Sequence, residues 1–286
     1  MSDNYVWREI YNINTVFFPG IYHEIQINKK TNLKLHTGPL HVNEPTFPSL
    51  QATDGILRGV GLVTHEFPSS NYLVIDINDV KAEEKFEEGH EIALEVAACL
   101  SIKFGDNLFE KCIYKGWAGN KVLSRIATLA NPISFANPEK ELAVPNDIFK
   151  NKNENMLLAL RWYMKAIQTP EPIDAFLSHW ISLEVFPMRG TRKIDVLVKY
   201  ISTILDNNYQ EKEVKECLNI GRLYGLRGEI VHHGNYKKPI KNIYSWLLRL
   251  RELNKLILGN ELSIIEKNTC RKMIMEMFVN GHADLV

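Results

Sequence analysis

The chain has 286 residues, 45% apolar and 24% charged, with 34 basic side chains against 34 acidic ones. That balance excludes a protein that holds nucleic acid by bulk positive charge alone, and it excludes an acidic disordered tail. The length admits one large domain or two smaller ones with a sizeable core. In chain order, residues 1 to about 80 read as β-rich. Tyr22–Ile27 and Leu33–His36 flank the polar turn Asn28–Asn32, with Ile25 and Ile27 alternating on one strand and Leu33 and Leu35 on its partner. Val6–Ile10 and Thr15–Phe18 are weaker strand candidates. Gly59–Thr64 and Tyr72–Ile77 are short apolar runs. Gly38–Gly55, with Pro39, Pro45 and Pro48, is expected to be loop.

The period changes after residue 80. Ile92, Val96, Leu100 and Phe104 recur every four residues and predict a buried helix capped by Gly105. Residues 106–150, punctuated by Pro132, Pro138 and Pro145, read as a linker or a long packed loop. From about 151 the pattern is helical throughout. The expected helices are Asn155–Gln168, a segment opening at Pro172 or Ile173 and stopping at Pro187, and Thr191–Leu205. Glu211–Val231 follows as one helix, or two with a break near Gly221, and closes at His232-His233-Gly234. Ile240–Leu258, stopped by Gly259, and Ile264–Phe278 complete the set. Short connections between such helices make a bundle. The expected class is therefore α+β, with a β-rich part and its following helix in 1–130 and a helical domain in 131–286.

Charge is uneven along this plan. Residues 1–150 carry 14 basic and 19 acidic side chains, net −5, whereas residues 187–286 carry 17 and 11, net +6. A phosphate-bearing partner is sought in the basic third. The four cysteines, Cys99, Cys112, Cys217 and Cys270, form no C-x-x-C and no metal-ligand spacing, so they are expected to be reduced thiols. MSDNYVWREI lacks the basic-then-apolar order of a signal peptide, and no apolar run approaches the roughly 18–20 residues of a membrane span. The expected location is cytoplasmic, without membrane association.

Phosphate-loop, dinucleotide-binding and nucleophile-elbow motifs are absent. His23, His36, His41 and His65 show no metal-like spacing. Asp76 and Asp79 flank a strand end, where a satisfied turn is a better reading than a cation site. Neither a metal nor a cofactor is expected.

The sharpest feature is Tyr224-Gly225-Leu226-Arg227-Gly228-Glu229-Ile230-Val231-His232-His233-Gly234: an Arg, four residues, then a His, at the end of a helix. Together with Trp180-Ile181-Ser182-Leu183-Glu184 on an earlier helix, it resembles the HEPN superfamily. It is most similar to the Apea-like branch, which pairs a W-x-x-L-E helix with a later L-R-x-x-(I/V)-V-H-x-G helix. The resemblance covers roughly residues 150–260. It implies a metal-independent ribonuclease acting on RNA, in antiphage defence or a toxin-like response, with residues 1–130 as a sensor or target-recognition part. It also implies a homodimer through the helical domain.

The residue chemistry suits that reading. A His can move the proton of an attacking 2′-hydroxyl or of the leaving 5′-oxygen, and an Arg fork can stabilise the charge gained at phosphorus. Arg227 and His232 are the expected catalytic pair, with Glu184, Glu229 and His233 in support. Five residues along a helix is a rotation of about 140°, so the pair does not share a face, and two copies of the helix meeting in one cleft would bring such groups together. Gly228 stands where some relatives carry a polar residue directly after the Arg. The alternative is a catalytically inactive HEPN module that dimerises and binds nucleic acid or protein. For the single residues, Arg227 can instead be a surface partner of Glu184 or Glu229. His232 can be a macrodipole-favoured C-terminal His, and His233 an i,i+4 partner of Glu229. Trp180, Tyr163 and Trp246 are expected in the core.

Overall fold

The computed structural model describes residues 5–13, 23–27, 29–46, 61–78, 86–105, 108–119, 123–124, 153–191, 193–233 and 242–280. The chain is α+β, as its periodicities imply. Its strands are β1 (Tyr5–Ile13), β2 (His23–Gln26), β3 (Thr31–Thr46), β4 (Gly61–Ile77), β5 (Phe109–Gly119) and β6 (Leu123–Ser124). They pair antiparallel in the order β2-β3-β4-β1-β5, and β6 pairs with β3. The expected hairpin is present, with Ile25 opposite Leu33 and His23 opposite Leu35.

Three expectations along this half are corrected. Residues 38–46 continue β3 rather than looping. Gly38 has φ +116°, and the register shifts between Gly38 and Leu40, so Pro39 falls in a bulge where the ladder needs no N–H from it. The two apolar runs on either side of Pro68 are one strand, β4. Residues 109–119 form β5 rather than a linker. The candidates Thr15–Phe18, Pro48 and Asp79 lie outside the described residues.

The sheet is rolled. β5 lies at the far end of the strand order, yet β6, which follows it in the chain, pairs with Leu40 and His41 of β3. One face therefore encloses a core in which Ile10, Leu40, Val42, Tyr72, Val74, Tyr114 and Ala118 pack together. The other face, with Trp7, Glu9 and Tyr11, meets the start of α1 (Phe86–Phe104). A Cβ on Gly89 would lie 2.5 Å from Trp7 Cγ, so only glycine allows this approach. Glu9 is fully buried and accepts from Trp7 Nε1 at 3.2 Å and Tyr11 Oη at 2.6 Å, with His90 Nδ1 as a further partner. Three partners compensate the desolvation of that carboxylate.

The chain divides into two compact units, Met1–Ala93 with Asn107–Val144, and Leu94–Asp106 with Pro145–Val286. In the second unit the helices are α2 (Glu154–Gln168), α3 (Pro172–Val185), α4 (Ile194–Ile204), α5 (Glu211–Cys217), α6 (Ile220–His233), α7 (Ile243–Glu261) and α8 (Lys267–Asn280). Asn153 caps α2 by accepting from Met156 N at 3.2 Å. The long 211–231 segment is two helices. The break falls at Asn219, whose φ of +54° is one that Asn tolerates. Gly259 is not the stop expected of it, since α7 runs on to Glu261. A Cβ there would lie 2.5 Å from Ile265 Cδ1 and 3.0 Å from Ile102 Cγ2, so the glycine serves close packing instead of termination. Trp180, Tyr163 and Trp246 are buried, as expected of core aromatics.

A buried polar cluster ties α2, α3 and α7. Asn254 Nδ2 donates to His179 O at 3.1 Å, and Ser182 Oγ donates to Ala159 O at 2.8 Å. Burial drives the His179 imidazole down to about 3, and nearby Arg251 acts in the same direction. The folded pKa is thus below the unfolded value of about 6.5. Below pH 6.5 the unfolded chain takes a proton that the folded chain refuses, so stability is full at neutral pH and falls with pH through that window. Urea unfolding at pH 7 and pH 5 is expected to show a loss of about 2 kcal/mol from this group. His179→Gln is expected to remove that part of the pH dependence. An equal loss in both proteins would contradict it.

Candidate active site

Helix α6 has two faces. Leu223, Leu226 and Ile230, at spacings of three and four, are buried and dock it on the bundle. Gly221, Gly225 and His232 lie on the open face. A Cβ added at Gly225 or Gly228 would meet no atom within 4 Å. Arg227 lies one position past Leu226, on the flank between these faces, which brings its guanidinium alongside α3.

There it meets Glu184. Arg227 Nη2 is 3.2 Å from Oε1 and 3.5 Å from Oε2 of that carboxylate, with both side chains 17% exposed. Glu184 is itself held by its own helix, because Trp180 Nε1 donates to Oε1 at 2.9 Å across one turn. Trp180 is fully buried, and the Tyr224 ring packs against it with centroids 5.9 Å apart. Trp180, Glu184 and Arg227 thus form a hydrogen-bonded series linking two segments 43 residues apart. The carboxylate engages only Nη2. The Nε and Nη1 hydrogens of Arg227 make no hydrogen bond to the described residues and remain able to take oxyanion oxygens.

The other expected residues are not gathered around Arg227. Glu229 is exposed and pairs at 3.5 Å with Arg222, a contact of small energetic weight. His232 is exposed in the last turn of α6, rotated away from Arg227 as the helix geometry requires. His233 is the last residue of α6, and its side chain, like Gly234, lies outside the described residues. Of the two acids foreseen as partners for Arg227, Glu184 is the one beside it. Trp180, foreseen only as core, is also the donor that fixes Glu184. The i,i+4 spacing of Trp180 and Glu184 was the available signal for this contact.

Other chemistry finds no support among the described residues. No group of three His, Cys, Asp or Glu side chains is placed to hold a metal ion. Asp76 is taken by Arg8 and Lys34. The four thiols are free, and burial pushes those of Cys112 and Cys270 up to about 12 and raises that of Cys99 as well, which disfavours nucleophilic thiolates. No described helix is long and apolar enough to cross a membrane. Compared with known proteins, the chain matches no family model, no curated protein and no solved structure.

Proposed function

We propose that the chain is a metal-independent endoribonuclease of the HEPN type, located in the cytoplasm and serving antiphage defence or a toxin-like response. The observation that carries this reading is the Trp180–Glu184–Arg227 series. It unites the two segments that bear the resemblance and leaves one edge of the Arg227 fork for a phosphate. Arg227 holds the scissile phosphate, and His232 moves the proton of the 2′-hydroxyl or of the leaving 5′-oxygen. Since the two side chains diverge on α6, the working site takes Arg227 from one copy and His232 from another, in a homodimer formed through the helical domain.

A mixing experiment tests the shared site. Arg227→Ala and His232→Ala chains, each inactive alone, are combined after mild dissociation. Random pairing makes half the dimers mixed, each with one intact site of two, so roughly a quarter of wild-type activity is expected. Failure to recover activity while mixed dimers form would exclude a site shared in this way. The second reading, an inactive HEPN module that dimerises and binds nucleic acid or protein, is favoured by Gly228, which supplies no polar group beside Arg227.

A further inference from the structure

Tyr224 stands beside Arg227 on α6, and its surroundings there are unusually bare. On a helix the surface neighbours of position 224 are 220, 221, 227 and 228. Ile220 is buried, and Gly221 and Gly228 carry no side chain. Helical side chains lean toward the N-terminus, so a side chain at 228 would lie over Tyr224. Gly228 leaves that surface uncovered: a Cβ there would meet no atom within 4 Å, and one at Gly221 would meet only Lys215 Cε, at 4.0 Å. Tyr224 is half-buried, and its hydroxyl makes no hydrogen bond to the described residues. Its ring is backed by the buried Trp180, with centroids 5.9 Å apart and planes tilted by 46°. Trp180 also donates to Glu184, which holds Arg227. Tyr224 and Arg227, neighbours at i,i+3, are thus braced on the same turn of α3.

An aromatic ring backed on one side, uncovered on the other and adjoining an arginine matches the two halves of a nucleotide. The base stacks on the ring, and the phosphate takes the guanidinium hydrogens that Glu184 leaves unused. We infer that Tyr224 is a stacking platform for an unpaired nucleobase next to the phosphate held by Arg227. The inference rests on the ribonuclease reading of Arg227 and names the substrate class of that site: single-stranded RNA with a base free to splay out. A base paired within an A-form duplex offers its edge and not its face, so it reaches the ring only by leaving its partner. Gly228 is then the opening that admits the base.

The test measures binding of the full chain to two uncleavable single strands of equal length and charge, a 2′-O-methyl oligoribonucleotide and its all-abasic counterpart. The wild type is expected to prefer the strand with bases by roughly 5–100-fold, the scale of one base stacked on an aromatic side chain. Tyr224→Phe keeps the ring and is expected to keep the preference. Tyr224→Leu keeps apolar cover over Trp180 and is expected to lose it. A purely structural Tyr224 would weaken both strands alike or neither. If Tyr224→Leu does not fold, fluorotyrosine-labelled wild type is used, with the Tyr224 resonance assigned as the one missing from Tyr224→Phe. That resonance is expected to move with the strand that has bases and not with the abasic one. The inference is overturned if the wild type binds neither strand or both equally, if folded Tyr224→Leu keeps the preference, or if the resonance does not tell the strands apart. Cleavage of unmodified RNA, assayed in parallel, separates the two readings. A Tyr224-dependent preference without cleavage upholds the platform and removes the ribonuclease, and cleavage without that dependence does the reverse.

Discussion

His232→Ala is expected to slow RNA cleavage by about 10²–10⁴-fold, the usual worth of a positioned general acid or base. Arg227→Ala is expected to lose about 10²–10³-fold, the scale for removing one preorganised group that stabilises transition-state charge. These are separate tasks, and each substitution removes one of them. Arg227→Lys keeps the charge but not the planar fork, so it is expected to rescue little. Glu184→Gln keeps the shape of the acid beside Trp180 while weakening its hold on Arg227, and it is expected to act through the orientation of Arg227. His233→Ala is expected to have a much smaller effect. Single-turnover rates on a single-stranded RNA, with each variant checked for native circular dichroism, measure the set. Equal rates for wild type, Arg227→Ala and His232→Ala would remove both residues from the chemistry.

Asp76→Ala is expected to cause the largest loss of stability among single substitutions in the sheet, about 3–5 kcal/mol. The physical reason is asymmetric. Replacing a whole buried ion cluster with apolar groups costs little, whereas removing one member strands the others. Here the carboxylate is 1% exposed and serves both Arg8, at 0%, and Lys34, at 6%. Its loss leaves the buried Arg8 guanidinium without the carboxylate that fills its Nε–Nη2 edge and removes one partner of Lys34. Denaturant unfolding of the full chain measures the effect. A change under about 1 kcal/mol would mean that water reaches these charges.

Much of this architecture was legible in the sequence because two periods differ so clearly. Alternation marked two strands paired across the 28–32 turn, and four-residue recurrence marked helix α1, where Val96 and Leu100 are buried and Ile92 and Phe104 are half-buried. The misreadings have specific causes. The prolines of 38–46 suggested a loop, but Pro39 falls at a bulge, whose position depends on strand pairing. In β5 the enclosed face carries Tyr114, Gly116 and Ala118 while the opposite face carries Lys115 and Trp117, so apolar and polar residues do not alternate cleanly. Gly259 has the composition of a helix stop, and its actual cause is the approach of Ile265, just past the end of α7, and of Ile102 on the distant α1. At the candidate site, the residue types and the rotation between Arg227 and His232 follow from spacing alone. The choice of Glu184 over Glu229 as the acid beside Arg227 does not, because it depends on how α6 docks against α3.

Cleavage of single-stranded RNA in excess EDTA, with the product ends identified, tests the ribonuclease reading most directly. Attack by the 2′-hydroxyl assisted by His232 and Arg227 requires no metal, so the account predicts undiminished cleavage that leaves 2′,3′-cyclic phosphate or 3′-phosphate ends. RNA bound but left intact by the wild type, or cleavage that stops when magnesium is removed, would contradict it.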